Sequence, residues 1–228
     1  GSWIREMAPF PEMQVLPLNA VDSIAVAAIA SKIEGGVRQK VIRDQISEMK
    51  VGLAASEPSR YEPALTDLGK LLGATAQKPK GQGRCDSTWC WDNELWLALE
   101  AKSAHEPTGV VPHKDVRQAN DQLRLLASDR GVETPPMQSA TLIISPKPAV
   151  HSDGITGAEA HVHLVPPSQI EEVASDVESA WNKILARCAG LTGLDLRKLV
   201  KEAMFTHAAL PSQVADRLTR DAIGPSDV

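Results

Sequence analysis

The sequence has few cysteines, no long apolar run and no excess of positive charge. Its three cysteines, Cys85, Cys90 and Cys188, are an odd number without metal spacing, which excludes a disulfide framework and places the chain in a reducing cytoplasm. Cys85 and Cys90 are too widely spaced for a zinc knuckle. No secretory leader is evident, and no apolar stretch is long enough to span a bilayer. The alanine-rich segment Val21–Ile33 is too short and carries Asp22. The formal net charge is −5, so a nucleic-acid partner requires positive groups concentrated locally. Lys78, Lys80 and Arg84, in a glycine-containing loop, and Lys114, Arg117 and Arg124, further on, are the candidates; a solvated charged face accounts for them equally well.

With 228 residues, 43% of them apolar, the chain can bury one sizeable core plus a helical appendage. Its most informative stretch runs from Arg84 to Lys102. Two strand-like runs, Asp86–Trp91 and Leu95–Lys102, flank the polar segment Asp92-Asn93-Glu94. Side chains alternate faces along a strand. Trp89 and Trp91 therefore share one face of the first run, and Leu95, Leu97, Leu99 and Ala101 one face of the second. A two-residue turn splits this apolar set across both faces. A three-residue loop places Trp91 opposite Leu95, Trp89 opposite Leu97 and Asp86 opposite Glu100, and a slip of one residue reverses every side chain. Directly opposed Cβ atoms lie roughly 4.5–5.5 Å apart, and two carboxylates that close repel unless a cation sits between them.

The order Asp86, hairpin, Glu100-Ala101-Lys102, then a helix resembles the PD-(D/E)xK nuclease superfamily, the restriction-endonuclease-like fold. Cys85 stands where that pattern usually has proline. The resemblance implies an α/β core with a central mixed sheet flanked by helices, and a phosphodiester-cleaving site. Asp86 and Glu100 would bind Mg²⁺ or Mn²⁺, with the Ala101 carbonyl as a further ligand, and Lys102 would position the attacking water and stabilise charge on phosphorus. The helix ahead of the sheet often supplies a glutamate in this superfamily, here Glu62; a Ser59-x-x-Glu62 capping box explains the same residue. The helix after the hairpin, read from about Lys114 to Ala127 with the stripe Val116, Ala119, Leu123 and Leu126, often supplies a glutamine. Gln118 and Gln122 stand there, either as that group or as ordinary polar neighbours of the stripe.

The remaining pattern fits an α/β core with helical additions at both ends. Tyr61, Leu65, Leu68 and Leu72 mark a helix stopped by Gly73. Ala140–Ser145 and His161–Val165 read as buried strands bounded by prolines. Two histidines on one strand face, His161 and His163, have no third ligand near them in sequence and read as surface or core-edge residues. Ser168-Gln169-Ile170-Glu171 reads as a capping box opening a long helix that Gly190 ends. Helices are expected at about Asp195–Thr206 and Gln213–Ala222, with a loose tail from Gly224. In the N-terminal region, Val37, Val41, Ile42, Ile46 and Met49 mark an amphipathic helix after Gly35-Gly36, with Arg38, Lys40, Arg43 and Lys50 on its wetter side. It reads as half of a helical pair on the core, or as an adaptor touching nucleic acid or another domain.

The expected division is residues 1–55 as an N-terminal helical segment, 56–190 as the nuclease-like core and 191–228 as a helical extension and tail. The start at Gly1-Ser2 reads as an expression scar, so the chain is expected to be the nuclease domain of a larger DNA-processing or defence protein, with a helicase or other module beside it. DNA is the favoured substrate over RNA. The alternatives are an inactive domain of the same fold that binds nucleic acid or a partner, and a protein-binding domain of another α/β fold.

Overall fold

The computed structural model describes residues 17–220 and 222–223. The chain opens with three helices, α1 (Ala20–Glu34), α2 (Gln39–Leu53) and α3 (Pro58–Leu71). Strands β1 (Thr75–Gln77), β2 (Ser87–Trp91), β3 (Leu95–Ala101) and β4 (Val110–Val111) follow. Then come α4 (His113–Asp129), β5 (Ala140–Ile144), β6 (Ala149–Val150), α5 (Ser152–Gly157) and β7 (Val162–Val165). Helices α6 (Pro167–Arg187), α7 (Gly193–Thr206) and α8 (Pro211–Leu218) complete the described part.

Five strands form a mixed sheet in the order β1-β2-β3-β5-β7. The first three are antiparallel, and β3, β5 and β7 run parallel. β4 and β6 pair separately. The β2–β3 hairpin has the register demanded by its apolar pattern: Trp91 faces Leu95 and Trp89 faces Leu97 across a three-residue loop. Asp92 takes a positive φ of 48° in that loop, and its carbonyl accepts the Trp96 indole N–H at 2.6 Å.

The two faces of the sheet carry different layers. Trp89, Trp91, Leu95, Leu97 and Leu99 lie in the main core with residues of α1, α2, α3, α6, α7 and α8, so both terminal helical regions pack on that core. Cys90 and Trp96 meet Leu126 and Ala127 of α4 on the opposite face, and Ala98 meets Leu123 there. α3 approaches β2 closely because residue 69 is glycine: a Cβ there would lie 2.4 Å from Trp89 Cδ1. Buried indoles find backbone partners, as amphipathic rings require. Trp89 donates to Leu65, Trp91 to Leu72 and Trp181 to Leu71, which stitches α6 and the sheet to the middle and C-terminal end of α3. Buried Asp22 reaches α8, accepting the Ser212 N–H at 2.9 Å and its hydroxyl at 2.6 Å.

Several boundaries depart from expectation. Neither serine capping box forms. Pro58 and Pro167 occupy the first turns, so α3 is capped at Glu57 and α6 at Pro166, and Ser59 and Ser168 already lie inside their helices. α8 ends at Leu218 rather than Ala222, which instead bridges His163. Val41 is exposed, not buried, on α2. His161 lies before β7 with Glu159 3.6 Å away, while His163 is buried within it. The expected tail at Gly224–Val228 lies outside the described residues. All three cysteines are free and buried. Among the described residues, no helix is long and apolar enough to cross a membrane.

Candidate active site

The site forms where β2 begins and β3 ends, on the face covered by α4. Pairing of β2 with β3 ends at Ser87 opposite Leu99. Continuing that count puts Asp86 opposite Glu100, but Asp86 leaves the ladder. Its N–H donates to the Leu99 carbonyl at 2.9 Å, and its Oδ2 accepts the Ala101 N–H at 2.8 Å. The carboxylate thus crosses the end of β3. Burial raises Asp86 above the ordinary carboxylate range, the Ala101 N–H opposes that, and the charge of Glu62 adds to it.

Glu100 alternates with Ala98 and Trp96 on the α4 side and is 1% exposed. Burial pushes its carboxyl up to about 7; the Lys102 ammonium opposes this, the Asp86 charge reinforces it, and the Gln118 hydrogen bonds moderate it. Gln118 Nε2 lies 3.1 Å from each Glu100 oxygen. Lys102 Nζ stands 3.5 Å from Glu100 Oε2. The structure therefore gathers Asp86, Glu100, Lys102 and Gln118, with Ala101 holding Asp86 through its N–H.

Gln122 does not reach Glu100. Its amide donates to the Gly83 carbonyl at 2.8 Å and the Gln118 carbonyl at 3.3 Å, tying the loop before Asp86 to α4. Glu62 faces Asp86 electrostatically, yet its carboxylate is ion-paired with Lys78. Arg84 is likewise committed, to Asp129 at 2.7 Å, and Arg124 to Asp121 at 2.8 Å. Lys80, Lys114 and Arg117 are exposed. Lys80 and Lys78 border a groove of about 390 Å³ that Thr75, Gln77, Thr88 and Arg130 also line.

Two further residues were not anticipated. Asp115, in the first turn of α4, is buried with Oδ1 3.8 Å from Lys102 Nζ and Oδ2 3.8 Å from His105 Nε2. His105 Nδ1 is 3.3 Å from Ser145 Oγ, and burial depresses its pKa below the ordinary value. A signal for Asp115 exists in the sequence: Asp115, Gln118 and Gln122 follow one another at helical spacings of three and four, so they share a face.

Buried Glu100 and half-buried Asp86, both with raised pKa values and with Lys102 as the ammonium they share, are an incompletely neutralised acidic pair. Among the described residues, no group of three or more His, Cys, Asp and Glu side chains is placed to hold a metal ion. Asp86 and Glu100 together fit the smaller demand of Mg²⁺, which takes one or two protein carboxylates and completes its shell with water and phosphate. No family model, curated protein or solved structure matches this chain.

Proposed function

We propose that the chain is a Mg²⁺- or Mn²⁺-dependent endonuclease domain of the restriction-endonuclease-like fold, acting on DNA in preference to RNA. It would serve a larger cytoplasmic DNA-processing or defence protein alongside a helicase or similar module. The observation that carries this reading is the state of Glu100: a nearly solvent-free carboxylate raised to about 7, held by Gln118, with Asp86 and Lys102 beside it. Such a group is costly to bury and has no packing purpose that an apolar residue would not serve better. A buried ionisable group with specific charge neighbours is a functional-site candidate.

In this reading Asp86 and Glu100 are the protein ligands. A divalent cation bound there supplies Lewis acidity toward a phosphate oxygen and an attacking water. Gln118 fixes the Glu100 carboxylate in one orientation. Lys102 donates to the attacking water and to a non-bridging phosphate oxygen, so its charge already stands where negative charge grows in the transition state. Glu62 acts indirectly, through Lys78 and the field at Asp86.

The test is incubation of the purified protein with labelled DNA and RNA, in Mn²⁺ and in EDTA, beside Glu100→Gln. Cleavage that needs both the metal and Glu100 is the expected result. Cleavage by neither the protein nor the variant, with nucleic-acid binding retained, would favour an inactive binding domain of the same architecture.

A further inference from the structure

Lys102 differs from the lysines paired elsewhere in the described chain. Lys40 lies 2.7 Å from Asp44, Lys183 2.9 Å from Glu202 and Lys70 3.0 Å from Asp67. These are closed, hydrogen-bonded pairs. Lys102 stands 3.5 Å from Glu100 and 3.8 Å from Asp115, between two carboxylates and closed onto neither. Both acids are more buried than the ammonium: the side-chain exposures are 2% for Glu100, 7% for Asp115 and 19% for Lys102. In so desolvated a setting, an ammonium facing Glu100 alone would close onto it.

Asp115 is built to oppose that collapse. It sits in the first turn of α4, where unpaired helix N–H groups favour negative charge. Its Oδ2 is buried without a hydrogen-bond partner, an expensive condition for an acceptor. The His105 imidazole Nε2 stands 3.8 Å from that oxygen, and Ser145 holds the ring from the far side. Lys114 and Lys147 also act electrostatically on His105. A depressed pKa keeps this imidazole neutral near pH 7, so Lys102 is the nearest permanent cation for Asp115 to attract.

We infer that Asp115 is a positioning residue that draws the Lys102 ammonium off Glu100 and leaves it uncommitted for an incoming phosphodiester. The catalytic consequence rests on the nuclease reading; the placement of Lys102 does not. A closed Lys102–Glu100 pair would occupy the carboxylate needed for the cation and withdraw the ammonium needed by the substrate. One acid beyond Glu100 removes both problems.

Two measurements on Asp115→Asn separate these levels. The substitution keeps shape and removes charge; Asp115→Ala serves if the asparagine variant does not fold. In a crystal structure of the variant, Lys102 Nζ is expected to close from 3.5 Å onto Glu100, to about 2.8 Å. In metal-dependent cleavage, kcat is expected to fall about 10–100-fold with KM little changed, as for other supporting residues of such sites. Because Asp115 acts through Lys102, the same substitution in a Lys102→Ala background should cost less than about twofold, and Asp115→Glu should recover part of the loss. Lys102 unmoved in the variant, or full additivity in the double mutant, overturns the inference. Closure of the pair in a protein that never cleaves overturns the nuclease reading and leaves the placement of Lys102 explained.

Discussion

Gln118 donates its side-chain amide to both oxygens of the Glu100 carboxylate, 3.1 Å from each. A neutral donor shared in this way stabilises the ionised form without cancelling its charge. It also fixes the plane of a side chain that has no solvent to orient it. Lys102 could supply a stronger bond, but it would neutralise the group it held.

Removal of that donor has a definite sign. Gln118→Ala should push the Glu100 carboxyl above its present value of about 7. If Glu100 must be ionised to work, the acidic limb of the kcat/KM–pH profile moves to higher pH in the variant. At pH 7 the rate should fall about fivefold for the first unit of that movement and about tenfold for each further unit. A profile identical to the wild type would mean that Gln118 does not tune Glu100.

Glu100 should also make the empty protein less stable as pH rises. Its folded value of about 7 lies above the ordinary 4.5, so between those values the folded state holds a proton the unfolded chain has released. Stability is therefore highest below pH 4.5 as far as this group decides, falls through the window, and levels off above pH 7. The difference corresponds to roughly 3 kcal/mol. Asp86, also raised, contributes in the same direction. Glu100→Gln should flatten the urea midpoint between pH 5 and pH 7.5 and exceed the wild type in stability at the upper end. Mn²⁺ should raise the wild-type melting temperature at pH 7.5 through linkage, and the variant should lose that response. Equal metal shifts in the two proteins would place the cation elsewhere.

The legible parts of the fold were those with enough residues to carry a period. Two tryptophans and three leucines fixed the β2–β3 register, because any slip would have exposed them. The stripe Tyr61, Leu65, Leu68 and Leu72 did the same for α3. Thr75–Gln77 is a three-residue polar edge strand, and β4 and β6 have two residues each, too short for any alternation to show. The serine capping signals failed because an adjacent proline, with its φ already helical and no N–H to satisfy, took the first helical position. In the candidate site, Asp86, Glu100 and Lys102 stood out by spacing along one hairpin. Asp115 did not, because its closeness to Lys102 depends on how the segment between β3 and α4 returns over the sheet. Gln118 and Gln122 looked alike from the sequence, and only packing distinguishes the one on Glu100 from the one on Gly83.

The close approach of α3 to β2 at Gly69 offers a test independent of chemistry. Gly69→Ala would set a methyl 2.4 Å from Trp89 Cδ1 and 2.8 Å from Ala76 Cβ. Trp89 cannot yield without losing its bond to the Leu65 carbonyl. The expected cost is about 1–3 kcal/mol by chemical denaturation, as for an overpacked core. An unchanged midpoint would mean that α3 does not lie on β2 at this distance.

Binding and chemistry should separate among the basic residues. Lys78 is neutralised by Glu62, and Arg84 by Asp129, whereas Lys80, Lys114 and Arg117 are exposed. A phosphate contacted by a basic side chain releases condensed counterions, and each lost contact lowers the salt dependence of binding. Lys80→Ala, Lys114→Ala and Arg117→Ala should therefore each weaken binding to a labelled oligonucleotide and reduce the slope of log K against log salt by about 1. Arg84→Ala should change the slope less, since its guanidinium is already paired with Asp129 rather than free for a phosphate. Lys102→Ala should behave oppositely to the exposed group, with cleavage at saturating substrate falling steeply while affinity and its salt slope shift little. The discriminating comparison is kcat against the salt slope across all five variants. If Lys102→Ala loses affinity in proportion to rate, Lys102 is a phosphate anchor rather than a transition-state group. If it keeps full metal-dependent cleavage, the mechanism assigned to the end of β3 is wrong.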